Sequence, residues 1–321
     1  MIPAAEAVAR FAADLNVLLD PGERLGVAVS GGPDSLALLL LAAAARPGQV
    51  SAASVDHGLR EGSRGEAEMV ARLCADIGVA HEILTIDWLR TPTSALQEQA
   101  RDARYAALGR WAEAQGLSAV ATGHHADDQA ETLMMRLLRG AGVRGLAAMR
   151  PSSPLRGNMK LKLVRPLLGW RRAKLASIVA AAGVTAVSDP SNGDEQHERV
   201  RIRRLLAASE WIDPAALAAS ARYLGAADKA IEYAVAREYG RVQSEGEELC
   251  FDPGDTPTEL RRRVVARIIA TLASEGDGAA LRGGELDRLL AQIEGGASAT
   301  LRGVVAEGGP IWRFRRAPPR R

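Results

Sequence analysis

The sequence is poor in several things, and each shortage removes a class of protein. Two cysteines in 321 residues, Cys74 and Cys250, make no CxxC pair, so neither a zinc site nor a disulfide framework is indicated. Aromatic residues are only 4% of the chain, which leaves Ala, Leu and Val to build the core. The longest uncharged apolar run, Ser35–Ala45, falls short of the ~20 residues that span a bilayer. No charged–apolar–small pattern opens the chain, so no secretory leader is expected. These absences predict a soluble, cytoplasmic protein with no membrane partner. Lysine is missing altogether from residues 1–150, which hold 14 Arg against 18 Asp and Glu.

Charge is present but uneven. The net value is only +2, yet the interval Thr132–Ser188 holds eleven basic residues and no acidic one. A stretch of one sign suits a polyanionic partner, or equally a solvated surface. With 47% hydrophobic residues and this length, two domains are expected.

An amphipathic helix at Ala5–Leu19 leads into short apolar strands alternating with helices. Strands are predicted at Leu25–Val29, Val50–Val55, His81–Ile86 and Leu117–Thr122. Helices are predicted at Ser35–Ala45, Gly65–Ile77, Ser94–Gln115 and Asp127–Arg139. The alternation implies an α/β fold, a Rossmann-like parallel sheet with helices on both faces. Ligands in such sheets sit beyond the carboxyl ends of the strands. Met149–Arg165 reads as a hairpin or basic arm, and Arg171–Ala182 as a helix. From Val200 the pattern is mainly helical, ending in a β-hairpin around Gly308–Gly309. The expected division is a catalytic domain over 1–200, with the basic arm, and a smaller mainly helical one over 201–321.

The segment "SGGPDS", Ser30–Ser35, lies between the first strand and an apolar helix. Gly31 and Gly32 allow close approach of the main chain to a ligand, and Pro33 opens the helix. The helix offers unpaired N–H groups to an anion, and Ser30 and Ser35 add hydroxyls. No Gly-Lys-Ser/Thr follows, so it is not a Walker A loop. Asp34 beside a polyphosphate calls for a cation and is assigned to Mg²⁺; a plain helix cap explains the same residue about as well. The second cluster is "GHHADDQAET". Asp127, Asp128 and Glu131 share one helix face. The alternative is a capping box with Asp128 as N-cap and Glu131 reaching back. His124 and His125 are candidates for phosphate contact or for structural packing. Asp56 and His57 follow the second strand, where they would meet adenosine or shape a turn at Gly58. Arg101 and Arg104 lie one helical turn apart, spaced for phosphate or for pairing with Glu98 and Asp102.

Ser30–Ser35 resembles the pyrophosphate loop of the N-type ATP pyrophosphatases, whose fold is adenine nucleotide alpha-hydrolase-like. Gly123–Thr132, "DHGLR" (Asp56–Arg60), "ARYAAL" (Ala103–Leu108), "RGAGVRGLAAM" (Arg139–Met149), "RPLL" (Arg165–Leu168) and "SDPSN" (Ser188–Asn192) occur in the order found in the tRNA(Ile)-lysidine synthetases, which the chain is similar to. The resemblance implies ATP and Mg²⁺ as cofactors, and as partners L-lysine and the minor tRNA(Ile) with a CAU anticodon. The expected reaction adenylates the first anticodon cytidine, releasing pyrophosphate, and joins lysine to C2 with loss of AMP. Ser30–Ser35, Asp56, His57, Gly123 and His124 would bind ATP; Asp34, Asp127, Asp128 and Glu131 would be catalytic. Arg101, Arg104, Arg156, Lys160, Lys162, Arg165, Arg171, Arg172, Arg199 and Arg203 would contact tRNA. Val200 stands where the family's Arg-Asn motif has asparagine. Paired cysteines for a thiolating relative are lacking, as is a glutaminase for an amidotransferase. An RNA-binding protein with a retired nucleotide site is opposed by the intact loop. A homodimer is left open.

Overall fold

The computed structural model describes residues 2–58, 63–86, 88, 96–187, 198–273 and 283–318. "SDPSN" and the last two residues of "DHGLR" lie outside them. Two compact units divide between Gly225 and Ala226.

The first unit is built on a six-stranded sheet in the order β3-β2-β1-β4-β6-β5, comprising β1 (Leu25–Ala28), β2 (Val50–Asp56), β3 (Ala80–Thr85), β4 (Ala119–Ala121), β5 (Ser152–Leu155) and β6 (Asn158–Val164). All neighbours are parallel except β5 against β6. The expected hairpin at Met149–Arg165 is therefore present, with its second strand built into the sheet beside β4. The order reverses between β1 and β4, and there the loops after both strands open at the same carboxyl end.

Helix α2 (Pro33–Ala45) is buried from Ser35 to Ala42 without a break. Such an all-round apolar helix needs cover on every side. The sheet lies beneath it, with α1 (Ala5–Asn16) and α7 (Arg172–Ala181) packed against it. Phe11, Leu15, Leu36, Leu39, Trp170 and Leu175 close this core. Val70 and Leu73 of α3 (Ser63–Asp76) join the same core. On the other side, α4 (Leu96–Ala114) packs Tyr105, Leu108 and Trp111 on Leu117, Val120, Leu161 and Leu163. Strand β1 passes close under α4: a Cβ at Gly26 would lie 2.7 Å from the Trp111 ring and 2.9 Å from Leu117.

Beyond β4 come α5 (Ala126–Leu137) and α6 (Val143–Leu146), and after α7 come α8 (Glu198–Ala208) and the long α9 (Pro214–Tyr239). Helix α8, which straddles the residue-200 division expected from sequence, buries Ile202 and Leu206 against Ala130 of α5. The second unit contains α10 (Thr258–Leu272) and α11 (Gly283–Glu294). Besides these helices it holds a five-stranded antiparallel sheet: β7 (Gln243–Glu245), β8 (Glu248–Phe251), β9 (Ser298–Leu301), β10 (Val304–Glu307) and β11 (Trp312–Arg316). Strands β10 and β11 form the expected terminal hairpin. Val264, Ile268, Leu289, Trp312 and Phe314 fill its core. Among the described residues no helix is long and apolar enough to cross a membrane.

Gly26→Ala should destabilise the first unit by about 1–3 kcal/mol through overpacking against Trp111. Urea unfolding followed by tryptophan fluorescence tests this; an unshifted midpoint would mean the close approach is relieved at no cost.

Candidate active site

The loop after β1 and the loop after β4 meet at the point where strand order reverses. Gly31 holds a φ of +81°, a conformation that favours glycine. Its carbonyl accepts a hydrogen bond from the Val187 N–H at 2.9 Å. Gly32 is the N-cap of α2 and Pro33 follows at its first turn, so the helix start has no side-chain cap. Its first N–H groups have no intrahelical acceptor and face the mouth of the crevice. Ser35 is turned to loop shape: its Oγ accepts from the Ser30 N–H at 3.1 Å and donates to the Gly32 carbonyl at 3.0 Å. The Ser30 hydroxyl, 3.2 Å from Ser35 Oγ, is the exposed one of the pair.

Gly123 lets the second loop approach. A Cβ there would stand 3.0 Å from the Asp34 carbonyl and the Ser35 nitrogen. Two residues on, His125 is buried and spans the gap, its Nε2 lying 3.4 Å from Asp34 Oδ2. His125 is also the N-cap of α5. Its Nδ1 accepts from the Asp128 N–H at 3.4 Å, while Asp128 Oδ2 accepts from the His125 N–H at 3.0 Å. The capping box expected from Asp128 to Glu131 thus sits one turn earlier. The helix starts at Ala126, whose N–H is tied to the Trp170 carbonyl at 2.8 Å. The spacing His125-x-x-Asp128 was a legible capping signal, hidden by the better-known preference for Asp at that position.

The three carboxylates of α5 each have an arginine partner. Asp127 accepts from Arg171 at 3.2 Å and from the Arg172 N–H, at the start of α7, at 2.8 Å. Asp128 meets Arg199 at 2.9 Å. Glu131 is buried between Arg199 and Arg203, both at 2.6 Å. Burial alone would raise the Asp127 and Glu131 pKa values; the α7 N–H and Arg171 for Asp127, and Arg203 and Arg199 for Glu131, outweigh it and hold both below the usual carboxylate range. Arg171, Arg199 and Arg203, expected on the RNA surface, are therefore gathered on the acidic helix.

Asp34 differs. Its Oδ1 is buried with no hydrogen-bond partner, and no arginine is paired with it among the described residues. A buried carboxylate oxygen that no protein donor satisfies has the chemistry to hold a divalent cation. Among the described residues no group of three or more His, Cys, Asp and Glu is arranged to hold a metal ion by itself.

The paired histidines have opposite electrostatics. Burial, with Arg165, Arg199 and Arg101 nearby, outweighs Asp128 and pushes His124 down to about 4; its Nδ1 lies 2.9 Å from Thr122 Oγ1. For His125 burial is outweighed by the Asp34 hydrogen bond and by Asp128 and Asp127, so its pKa rises. At the end of β2, the buried Asp56 accepts from the Gly58 N–H at 2.9 Å, shaping the turn. His57 has a buried, unpaired Nδ1, and burial and Arg104 lower its pKa.

The remaining basic candidates divide. Arg101, Arg104, Arg156, Lys160, Lys162 and Arg172 are exposed, whereas Arg165 is buried. Arg156 is paired with Asp102 at 2.6 Å, the acid expected to face Arg101 or Arg104. Strand alternation sets Lys160 and Lys162 on the opposite face of β6 from Leu163 and Arg165. The Thr132–Ser188 run is accordingly not one surface.

Residues 4–210 match the PP-loop domain. A tRNA(Ile)-lysidine synthase of Novosphingobium aromaticivorans is 48% identical over 316 residues, 98% of this chain and 95% of its own length. The enzyme of the same name from Zymomonas mobilis is 46% identical, over 93% of this chain and 90% of its own. Among solved structures, a U34-tRNA thiolase from Methanococcus maripaludis shares the fold, with a TM-score of 0.57 at 19% identity over 68% of this chain and 76% of its own.

Histidine NMR titration should place His124 near pH 4 and His125 above 6.5. Stability contributed at His125 is complete below its unfolded value of about 6.5 and is lost as pH rises through the folded one. At His124 the sign reverses: stability is lost as pH falls from about 6.5 towards 4. Titrations in the opposite order would remove the pairing of His125 with Asp34.

Proposed function

The chain belongs to the tRNA(Ile)-lysidine synthase family of PP-loop enzymes, and on that premise we propose that it uses ATP to join L-lysine to the first anticodon cytidine of tRNA(Ile) with a CAU anticodon. The observation that carries the proposal is the meeting of Asp34 and His125 across the strand-order reversal, with an open helix start beside them.

ATP would lie across the carboxyl ends of β1 and β2, its adenosine towards Asp56 and His57. The exposed Ser30 hydroxyl, the main chain at Gly31 and Gly32, and the first N–H groups of α2 receive the phosphates. Asp34 would hold Mg²⁺, whose charge offsets that developing on the departing pyrophosphate. The cytidine O2 attacks the α-phosphorus, the bond to pyrophosphate breaks, and O2 carries AMP. The lysine amine then attacks C2, the C2–O2 bond breaks, and AMP leaves with that oxygen. The amine must lose a proton, and a carboxylate of α5 is at hand to take it. Asp127 and Asp128 keep 23% and 14% of their side chains exposed, against 4% for Glu131. We assign the lysine amine to the first two and give Glu131 the role of anchoring α8 through Arg199 and Arg203. His125, held between Asp34 and the α5 carboxylates, keeps the phosphate end and the amine end of the site in register.

Purified protein given ATP, Mg²⁺ and radiolabelled L-lysine should label the isoleucine transcript with a CAU anticodon, and not the elongator methionine tRNA with the same anticodon. ATP cleavage to AMP without label would retain the adenylation site and discard lysine. Asp34→Asn should abolish pyrophosphate release while leaving tRNA affinity within about twofold. Turnover undiminished in that variant would take Asp34 out of the mechanism.

A further inference from the structure

Three arginines are buried among the described residues of the two units, and their surroundings differ. Arg46, 5% exposed, donates to the Leu19, Asp20 and Glu23 carbonyls and to Asn16 Oδ1. Arg263, 7% exposed, is neutralised by Asp228, Glu232 and Glu259, each at 2.7 Å. Arg165, 8% exposed, has no carboxylate partner among the described residues. One terminal nitrogen donates to the Arg150 carbonyl at 2.8 Å and to Ser153 Oγ at 3.3 Å, while its Nε is buried with no acceptor. A buried cation left in this condition is costly unless an anion arrives from outside. Burial, with Arg101 nearby, lowers its pKa although Tyr105, to which it is hydrogen-bonded, acts the other way, as expected of a cation short of a full counter-charge.

Arg165 lines a cavity of about 590 Å³ with Arg101, Tyr105, Ser153, Pro154 and Leu163, and with Glu98 and Arg156, which are paired with each other. Arg101 is a second cation there with no carboxylate partner among the described residues, its guanidinium over the Tyr105 ring at 5.6 Å. The volume suits a nucleotide-sized ligand, with an apolar wall beside the guanidinium groups of Arg101 and Arg165, while that of Arg156 is taken up by Glu98 and Asp102. Its place in the fold is informative. Arg165 directly follows β6 and Ser153 belongs to the antiparallel β5, so the cavity opens at the carboxyl end of the sheet, where the crevice lies. Arg165 and Arg101 both act on His124, so the cavity and the crevice share one electrostatic field.

Resting on the RNA substrate proposed above, we infer that this cavity receives one nucleotide of the RNA strand next to the target cytidine, with Arg165 and Arg101 taking its phosphate. Its apolar wall at Tyr105, Pro154 and Leu163 faces the sugar or base. The phosphate completes the hydrogen bonding of a guanidinium that the protein itself leaves open, so the site orders the strand as well as attracting it.

The test is a charge-deletion cycle with the full chain. The CAU isoleucine transcript is made with a single neutral methylphosphonate at each phosphate flanking the target cytidine in turn, and binding is measured by filter retention across a salt series. For the wild-type protein one of these positions should weaken binding about tenfold. Arg101→Gln and Arg165→Gln should weaken the unmodified transcript similarly and reduce the log–log salt slope by about 0.7, the single-strand value for one phosphate contact. Combined with the sensitive methylphosphonate, either variant should show no further loss. Additive losses at every position, or variants that bind and respond to salt as the wild type does, overturn the inference while leaving the RNA substrate intact. A wild-type protein that does not retain the unmodified transcript overturns the substrate reading and this inference together. Should Arg165→Gln fail to fold by circular dichroism, the exposed Arg101→Gln decides the matter alone.

Discussion

The contact between two loops, one after β1 and one after β4, is what the rest of the site depends on. Parallel strands bring their carboxyl ends to one edge, and two loops there can touch only where side chains leave room. Gly123 removes the Cβ that would press on Asp34 and Ser35. His125 then joins Asp34 to the first turn of α5. One imidazole thus caps a helix, faces the carboxylate of the other loop and sits among three acids. Because its ring is buried, its position is set by packing as well as by hydrogen bonds.

The second constraint is charge. Asp127, Asp128 and Glu131 crowd into two turns of α5, an arrangement that water cannot shield once the helix is covered. Guanidinium groups relieve it: Arg171 at the start of α7, and Arg199 and Arg203 one turn apart on α8. These pairs do more than balance charge, since they draw α7 and α8 to the mouth of the crevice. Ion pairs between part-exposed arginines and more buried acids contribute little net stability; we read these as fixing position. A substrate amine entering the same place competes with groups of its own sign, which makes the least buried carboxylates the ones to meet it. Among the described residues Asp34 stands apart as the acid with no arginine partner and an unpaired Oδ1, and Arg165 as a buried cation with neither a carboxylate nor an acceptor for its Nε. Both are incomplete in the free protein, and both face the end of the sheet where substrates would lie.

Much of this was legible beforehand. The β-α alternation up to Leu137 was marked by apolar runs of the right length, and the terminal hairpin by its pattern around Gly308–Gly309. Ser30–Ser35 and Gly123–Thr132 could be placed at one mouth because strand–loop–helix order implies it. The antiparallel partners of the final hairpin escaped notice: β7 and β8 are three and four residues long, too short for a period to show. The place of β6 beside β4 escaped as well, since a Pro–Ser-rich hairpin reads the same whether or not it joins a sheet.

Sequence by itself determined the fold class and the residue types at the site, because hydrophobic period and glycine placement are local properties that short windows carry. It also determined that Asp127, Asp128 and Glu131 share a face, which follows from helix geometry alone. Only the tertiary structure decided their partners. Arg199 and Arg203 lie about seventy positions beyond Glu131, with |i−j| of 68 and 72, and no local pattern separates an arginine bound for RNA from one bound for a buried acid. Only the fold separated Lys160 and Lys162 from Arg165, because a strand buried in a sheet sends alternate side chains to opposite faces. The basic run is continuous in sequence; in space its charges serve different surfaces.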